Sequence, residues 1–154
     1  MWKHIFIATL LAAVLDISAA SIQVFLSAHL MPDVVLRYIA SGVFGKAADT
    51  SWPYLLFGLL VHFFIVFMCA LVYFRLYPRI SLVRKNIFLS AFLIAGIAWV
   101  VTTRIIIPLS KINPPPFHWE KALLAVAILY VCVGIPIAVI ANGYYKSAKE
   151  KVTG

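Results

Sequence analysis

Two side chains that can exchange a proton, Asp16 and His62, lie in the middle of long apolar stretches of this sequence. Asp16 is the only formal charge between Lys3 and Asp33. An acidic group in the middle of an apolar helix costs about 2.5 to 3.5 kcal/mol on insertion scales, and it is tolerated where it faces protein or water. Asp16 therefore needs a hydrogen-bonding partner or a proton.

Helical spacing allows these two side chains to meet. Asp16 lies about twelve residues into the first apolar stretch, and His62 lies about nine residues into the second from the opposite side. At about 1.5 Å of rise per residue these depths are comparable. An Asp-His pair can relay protons, and a histidine can also ligate a metal or haem. The structural alternative makes Asp16 a hydrogen-bonded packing anchor and bonds His62 to a neighbouring backbone or hydroxyl group.

Arg104 and Gln23 complete the candidate binding or proton-relay residues. Arg104 is the one charge within the third apolar stretch and lies four residues before Pro108. Its long stem can snorkel to the rim of a bilayer, or its guanidinium can reach inward to Gln23 or Asp16 and bind an anionic head group. Gln23 shares a small, mildly polar helical stripe with Asp16, and such a stripe is expected to face other helices.

The sequence contains no motif that assembles a catalytic or metal site. It has no phosphate-binding glycine loop, no H-E-x-x-H and no G-x-S-x-G, so we predict no catalytic residue, no metal ligand and no enzyme activity. Cys69 and Cys132 lie in separate apolar stretches without a C-x-x-C pair and are expected to be packing residues. Only His62 lies deep, so no cofactor is expected, and haem held by histidine is the alternative.

Composition indicates a membrane protein. Hydrophobic residues make up 64% of the chain and charged residues 12%, whereas soluble domains contain about 25% charged residues. Four stretches that carry no charge or one charge exceed the about 20 residues that a helix needs to cross a bilayer. We therefore predict an all-α fold, a four-helix transmembrane bundle with a short interfacial or re-entrant helix between the first two spans.

A single membrane domain is expected over residues 1–154, since no room remains for a soluble domain. The first apolar run is too long for a signal peptide and is expected to be retained, with its small residues at the centre of helix packing. Pro114, Pro115 and Pro116 predict a stiff extended connection. The predicted spans are about 3–30, 52–74, 86–109 and 120–145, and the interfacial segment is 33–49.

The net charge of +8 comes from basic residues beside the apolar stretches. Eight Lys and Arg residues flank one side and four the other, which places both termini in the cytoplasm. The expected partner is therefore the lipid bilayer and not nucleic acid, and a homo-oligomer or a larger membrane complex is compatible with four short spans. The residues assigned to the lipid interface are Arg75, Arg79, Arg84, Lys85, Trp52 and Trp119.

Short motifs between about residues 35 and 118 carry a resemblance. They are Ala40-Ser41-Gly42 with Gly45, Gly58 followed by His62-Phe63, Pro78 after a Tyr-rich helix end, and Pro108-Leu109 followed by Pro114-Pro115. In this order they resemble the YagU-like small bacterial inner-membrane proteins of unknown function. The resemblance implies a helical bundle in a bacterial inner membrane, and it supplies no catalytic or binding residue.

Three functions follow as expectations. The first is a non-enzymatic polytopic inner-membrane protein whose polar cluster of Asp16, His62 and Arg104 binds a small solute or proton, or locks the bundle. The second is a structural or assembly subunit of a larger membrane complex. The third is a haem-binding membrane electron carrier that uses His62.

Overall fold

A computed structural model of the chain describes residues 1–49, 51–113 and 116–153, without the side chains of residues 82, 83 and 150–153. Every regular element in these ranges is helical, which confirms the all-α prediction. The predicted extended segment at Pro114 and Pro115 lies outside the described residues. The helices are α1 Trp2–Ala28, α2 Asp33–Phe44, α3 Trp52–Leu76, α4 Ser81–Lys85, α5 Ile87–Leu109, and α6, which begins at Trp119 and ends at Thr153.

Four of these helices, α1, α3, α5 and α6, are long and apolar enough to cross a membrane. Their outward surfaces are apolar as well. Each helix exposes large hydrophobic side chains near its middle, for example Val14 (47% exposed), Leu60 (61%), Ile97 (62%) and Val131 (57%). A water-soluble fold would cover such side chains with a second layer.

Helix α4 was not predicted, since no helix was assigned between the predicted spans 52–74 and 86–109. Pro78 prevents α3 from continuing beyond Leu76. The chain then forms the short helix Ser81–Lys85 before α5 begins. The Asn86 side chain caps α5, because its Oδ1 accepts hydrogen bonds from the N–H groups of Phe88 and Leu89 at 2.9 and 3.2 Å. This cap fixes where the third apolar helix starts.

The hydrophobic core occupies one half of the bundle, here called the closed half. It comprises residues 2–14 of α1, 63–77 at the end of α3, 87–100 of α5 and 133–145 of α6. Alanine dominates its fully buried positions, so the helices approach closely. The residues with no exposed surface in the closed half are Ile5, Ala8, Ala12, Ala13, Ala70, Phe74, Ser90, Ala91, Ala95, Ile137 and Ala141.

Two glycines mark places where backbones touch. A Cβ on Gly134 of α6 would overlap the carbonyl oxygen of Ala91 in α5, so these two helices meet without an intervening side chain. A Cβ on Gly58 of α3 would overlap the carbonyl oxygen of Leu36 in α2. The short helix α2 is therefore packed on α3, and its position is set by this contact.

Tyrosine hydroxyls join the helices of the closed half. The hydroxyls of Tyr73 in α3 and Ser90 in α5 share a hydrogen bond of 2.6 Å. Tyr77 at the end of α3 donates to the Asn142 side-chain oxygen at 2.7 Å. Tyr145 of α6 donates to the carbonyl oxygen of Phe74 at 2.6 Å. These bonds satisfy polar groups inside an apolar region and fix the relative rotation of three helices.

The remaining parts form an open half, made of residues 15–28 of α1, helix α2, 52–62 of α3, 101–109 of α5 and 119–132 of α6. In these segments only Ala40, Gly58 and His62 are buried among the described residues. A groove of about 530 Å³ separates α1 from α2 and α3, and Ser18, Ser21 and Asp33 supply its polar lining. The helices are therefore much less closely packed here than in the closed half.

Two π turns lie near the boundary between the halves. In α5 the turn is Thr102–Ile106 and the N–H of Ile107 bonds to the carbonyl of Thr102; in α6 the turn is Tyr130–Gly134 and the N–H of Ile135 bonds to the carbonyl of Tyr130. In both helices a proline, Pro108 or Pro136, follows the turn at the second position. Proline lacks the N–H for the ordinary bond and its ring collides with the carbonyl four residues earlier, so the wider turn relieves that collision.

Candidate functional site

The structure brings Asp16 and His62 together between α1 and α3. The Nε2 atom of His62 lies 3.9 Å from Oδ2 of Asp16. The His62 side chain is 10% exposed and that of Asp16 is 17% exposed. Asp16 thus faces another helix of the bundle and does not project from the outer apolar surface.

A backbone carbonyl fixes the His62 ring. Nε2 lies 3.1 Å from the carbonyl oxygen of Ala13, and a carbonyl can only accept, so Nε2 is assigned the hydrogen. A neutral ring then has Nδ1 as its acceptor. The 3.9 Å separation from Asp16 is too long for a hydrogen bond and short enough for an ion pair when the ring gains a second proton. The pair can therefore exist as a neutral or as an ionic arrangement.

The two π turns lie at different depths. The π turn of α6 packs against α1 and α5, and Gly134 at its end meets the backbone of Ala91 in α5. The π turn of α5 begins at Thr102, eleven residues after Ala91. At about 1.5 Å of rise per residue it lies roughly 16 Å further along α5.

The inward stripe of α1 changes its environment at Asp16. Thr9 and Ala13, which precede it on this stripe, are buried. Asp16, Ala20 and Gln23 continue the stripe at helical spacing, and all three are partly exposed. The stripe passes from the closed half into the open half at the carboxylate, so Asp16 and His62 form the floor of the open half.

Below this floor the Thr9 hydroxyl has no hydrogen-bond partner among the described residues, although its oxygen is buried. Thr9 lies two helical turns before Asp16 on the same stripe. A buried hydroxyl normally finds a partner. The α1 stripe therefore has a buried polar group, the Thr9 hydroxyl, inside the closed half.

Arg104 and Gln23 are not part of this pair. Arg104 lies in the π turn of α5, its side chain is exposed, and no ion pair or hydrogen bond joins it to another described residue. Gln23 is partly exposed on α1, two turns beyond Asp16. The guanidinium therefore does not neutralise the carboxylate, and of the four candidate residues only Asp16 and His62 are in contact.

The predicted interface residues lie at the two ends of the helices. Trp52 is 74% exposed at the start of α3, and Trp119 is 64% exposed at the start of α6. At the opposite end, the basic residues Arg75, Arg79, Arg84 and Lys85 are all exposed. Charged side chains and apolar midsections are thus separated along the helix axes.

The described residues hold no group of three or more His, Cys, Asp and Glu side chains that could coordinate a metal. Cys69 and Cys132 are partly buried free thiols in different helices. His29 and His118 are exposed at the end of α1 and the start of α6. Haem ligation by facing histidines at one depth would need a second deep histidine beside His62, and the described histidines supply none.

Two features of the molecule were not predicted. One is the tyrosine network of the closed half, in which Tyr73 pairs with Ser90 and Tyr77 with Asn142, partners 17 and 65 residues apart in the chain. The other is a basic pocket at the end of α2, lined by Arg37 and Lys46. In the sequence, this pocket is indicated by the spacing of Arg37 and Ser41, which lie one helical turn apart.

No protein-family model matches this chain, and no curated protein and no solved structure is detectably similar to it.

Proposed function

We propose that the chain is an integral membrane protein that crosses a bilayer with α1, α3, α5 and α6. The exposed apolar midsections of these helices, with charged residues at their ends, support this proposal. The excess of Lys and Arg beside the closed half supports a cytoplasmic location for both termini. The location in a bacterial inner membrane rests on the resemblance to YagU-like proteins.

Within this frame the pair of Asp16 and His62 binds a proton or a small cationic solute, without enzymatic chemistry. The observation that carries the proposal is the 3.9 Å approach of the two side chains at the floor of the open half. Among the described residues, the ion-pair partner of the carboxylate is the His62 imidazole, and proton uptake by the pair reduces the cost of holding a charge at this depth. Proton uptake is therefore the reaction that this site favours.

Access to the site comes from the open half. The α1 stripe from Asp16 to Gln23 is partly exposed. In the preceding turns of α1, Ala8, Ala12 and Ala13 are completely buried against the other helices. Under the proposed orientation the open half faces the external side of the membrane. A proton or solute thus reaches the carboxylate from outside, and passage to the cytoplasm requires the alanine contacts to separate.

Infrared difference spectroscopy of the purified protein in lipid nanodiscs tests proton binding directly. We expect a pH step to change the carboxyl C=O stretching band, and we expect the Asp16→Asn variant to lose that change. Asp49→Asn is the matched control, since Asp49 is exposed outside the apolar helices. A wild-type difference spectrum without any component that depends on Asp16 contradicts the proposal.

Transport is tested separately in liposomes that contain a pH-sensitive dye. If the site relays protons, an imposed membrane potential acidifies or alkalises the lumen faster with wild type than with Asp16→Asn or His62→Gln. Equal rates for all three proteins, with proton binding retained in the infrared experiment, limit the function to binding without transport.

The second candidate is a structural or assembly subunit. The interior-facing stripe of α1 in the open half is incompletely covered by the chain itself, and a partner helix in a larger complex would bury it. Purification from native membranes in mild detergent then yields a defined complex. A monodisperse protein with only lipid attached excludes this candidate.

A further inference from the structure

The end of α2 carries a second polar site that is separate from Asp16 and His62. A pocket of about 190 Å³ lies between the last turns of α2 and the 3-10 turn Gly45–Ala47 that follows it. Its lining residues are Val34, Arg37, Tyr38, Ser41, Gly45, Lys46 and Ala48. The pocket combines two cationic side chains with two hydroxyl groups.

The turn after α2 builds this pocket. Gly45 has φ 61° and ψ −133°, a conformation that side-chain-bearing residues rarely adopt, and it lets the chain fold back over α2. The Nε of Arg37 donates to the carbonyl of Ala48 at 3.2 Å and fastens the returning chain. This bond uses one guanidinium donor and orients the group, so the terminal nitrogens are available at the pocket.

The neighbouring connection supports the same geometry. The N–H of Lys111 donates to the carbonyl of Gly42 at 2.9 Å, and the aliphatic stem of Lys111 lies against Gly45. A third cationic residue is thereby held at this end of α2. The acidic group Asp49 accepts hydrogen bonds from the hydroxyl and N–H of Ser51 at 2.5 and 2.8 Å. Besides these Ser51 hydrogen bonds, the Arg37 charge contributes to the lowered pKa of Asp49, although no ion pair within 4.0 Å joins these two described residues.

We infer that this pocket binds a phosphate group, with the Arg37 guanidinium and the Lys46 ammonium as its cationic contacts. Arginine matches phosphate oxygens with paired N–H donors, and lysine adds a mobile charge. The hydroxyl of Tyr38 lines the pocket as a further donor, whereas the Ser41 hydroxyl donates to the carbonyl of Tyr38 at 2.7 Å. The phosphate belongs to an anionic lipid head group or to a free phosphate, because both present the same oxygens.

The position of the pocket is suitable for a head group. Trp52 begins α3 four residues after Ala48 and is 74% exposed. Exposed tryptophan at the end of an apolar helix is typical of the level of lipid head groups. Basic pockets at this level recognise anionic head groups.

Binding of short-chain phosphatidylglycerol to the full chain in detergent, measured by calorimetry, tests the inference. We expect Arg37→Gln and Lys46→Gln each to weaken binding about tenfold, since a hydrogen bond to a charged group is lost. Lys46 makes no bond to another described residue, so its substitution does not disturb the fold. Arg75→Gln, which removes an exposed charge at the opposite end, is the matched control and should leave the affinity unchanged.

Inorganic phosphate supplies the second arm. Competition by millimolar phosphate together with sensitivity to Arg37→Gln identifies free phosphate as the ligand, whereas binding of phosphatidylglycerol alone identifies the lipid. Either result supports a phosphate site. The inference is overturned if Arg75→Gln weakens binding as much as Lys46→Gln, which indicates general charge attraction, or if neither probe binds.

Discussion

The closed half and the open half are built from the same four apolar helices, yet they are packed in different ways. In the closed half alanines and Gly134 bring backbones into contact, and tyrosine hydroxyls join α3, α5 and α6. In the open half the described side chains are mostly exposed or half-buried. Close packing gives the closed half its rigidity, whereas the loose packing leaves polar groups of the open half available to bind.

The difference has a local cause in α5 and α6. Each helix contains a π turn followed by proline, and each turn lies near the boundary between the halves. Proline-linked turns redirect a helix. We expect the two turns to tilt the outer segments of α5 and α6 away from α1 and α3 and so to loosen the packing around Asp16.

The largest effect is expected for Gly134→Ala. The new Cβ overlaps the Ala91 carbonyl, and backbone cannot yield as a flexible side chain does, so we expect a loss of about 1 to 3 kcal/mol in the free energy of unfolding. Gly96→Ala is the control, since no atom lies within 4 Å of its Cβ position. Thermal unfolding in detergent measures both. Equal stability of the two variants would show that the closed half is not tightly packed.

Gly58→Ala tests the corresponding contact in the open half. Its Cβ overlaps the Leu36 carbonyl and displaces α2 from α3. Because α2 can separate without opening the core, we expect faster hydrogen exchange in α2 and a smaller loss of global stability than for Gly134→Ala. If both variants reduce the unfolding temperature equally, the two halves unfold as one unit.

Tyr145→Phe removes one hydrogen bond of the closed half. The carbonyl of Phe74 loses its tyrosine donor, and we expect a destabilisation of about 1 kcal/mol. Tyr54→Phe is the control in the open half, because the Tyr54 hydroxyl bonds to no other described residue. Chemical unfolding compares the two. A larger destabilisation by Tyr54→Phe than by Tyr145→Phe would contradict the conclusion that the closed half is the more rigid one.

Pro136→Ala tests the origin of the gap between helices. Alanine restores an N–H that can bond to the carbonyl of Cys132, so the π turn should revert toward ordinary helix. Spin labels at positions 27 and 121, in a background without Cys69 and Cys132, should then move closer together. Labels at positions 3 and 146 report on the closed half and should keep their distance. If the distance between labels at positions 27 and 121 does not change, Pro136 is not the cause of the loose packing in the open half.

The smallest effect concerns Asp49, beyond the open half. The Ser51 hydroxyl, with the Ser51 N–H, holds the pKa of the Asp49 carboxyl below its ordinary value. A lowered pKa adds stability that is present above the ordinary value and is lost as pH falls through the lowered one. Ser51→Ala should raise the pKa of Asp49 toward the ordinary value in a carbon NMR titration. No change would mean that Ser51 does not hold the carboxylate.

Part of this architecture is predictable from sequence, because it depends on constant helical rise and on apolar composition. The all-helical fold and the four apolar helices follow from charge-free stretches. The comparable depths of Asp16 and His62 follow from counting residues. The contacts of Tyr77 with Asn142, and of Arg37 with Ala48, depend instead on how separate segments pack, and no periodicity reports that. Pro108 lies at the end of the predicted span 86–109, and the π turn before it was not predicted.

The central claim is that water reaches Asp16 from the open half. Cysteine variants in nanodiscs, in a background without Cys69 and Cys132, test it with a water-soluble thiol reagent. We expect Gln23→Cys and Ala20→Cys to react, and Thr9→Cys in the closed half and Leu10→Cys on the outer apolar surface to remain unmodified. Unreactive thiols at both positions 20 and 23 would contradict the claim, because the gap would then be dry or filled by lipid.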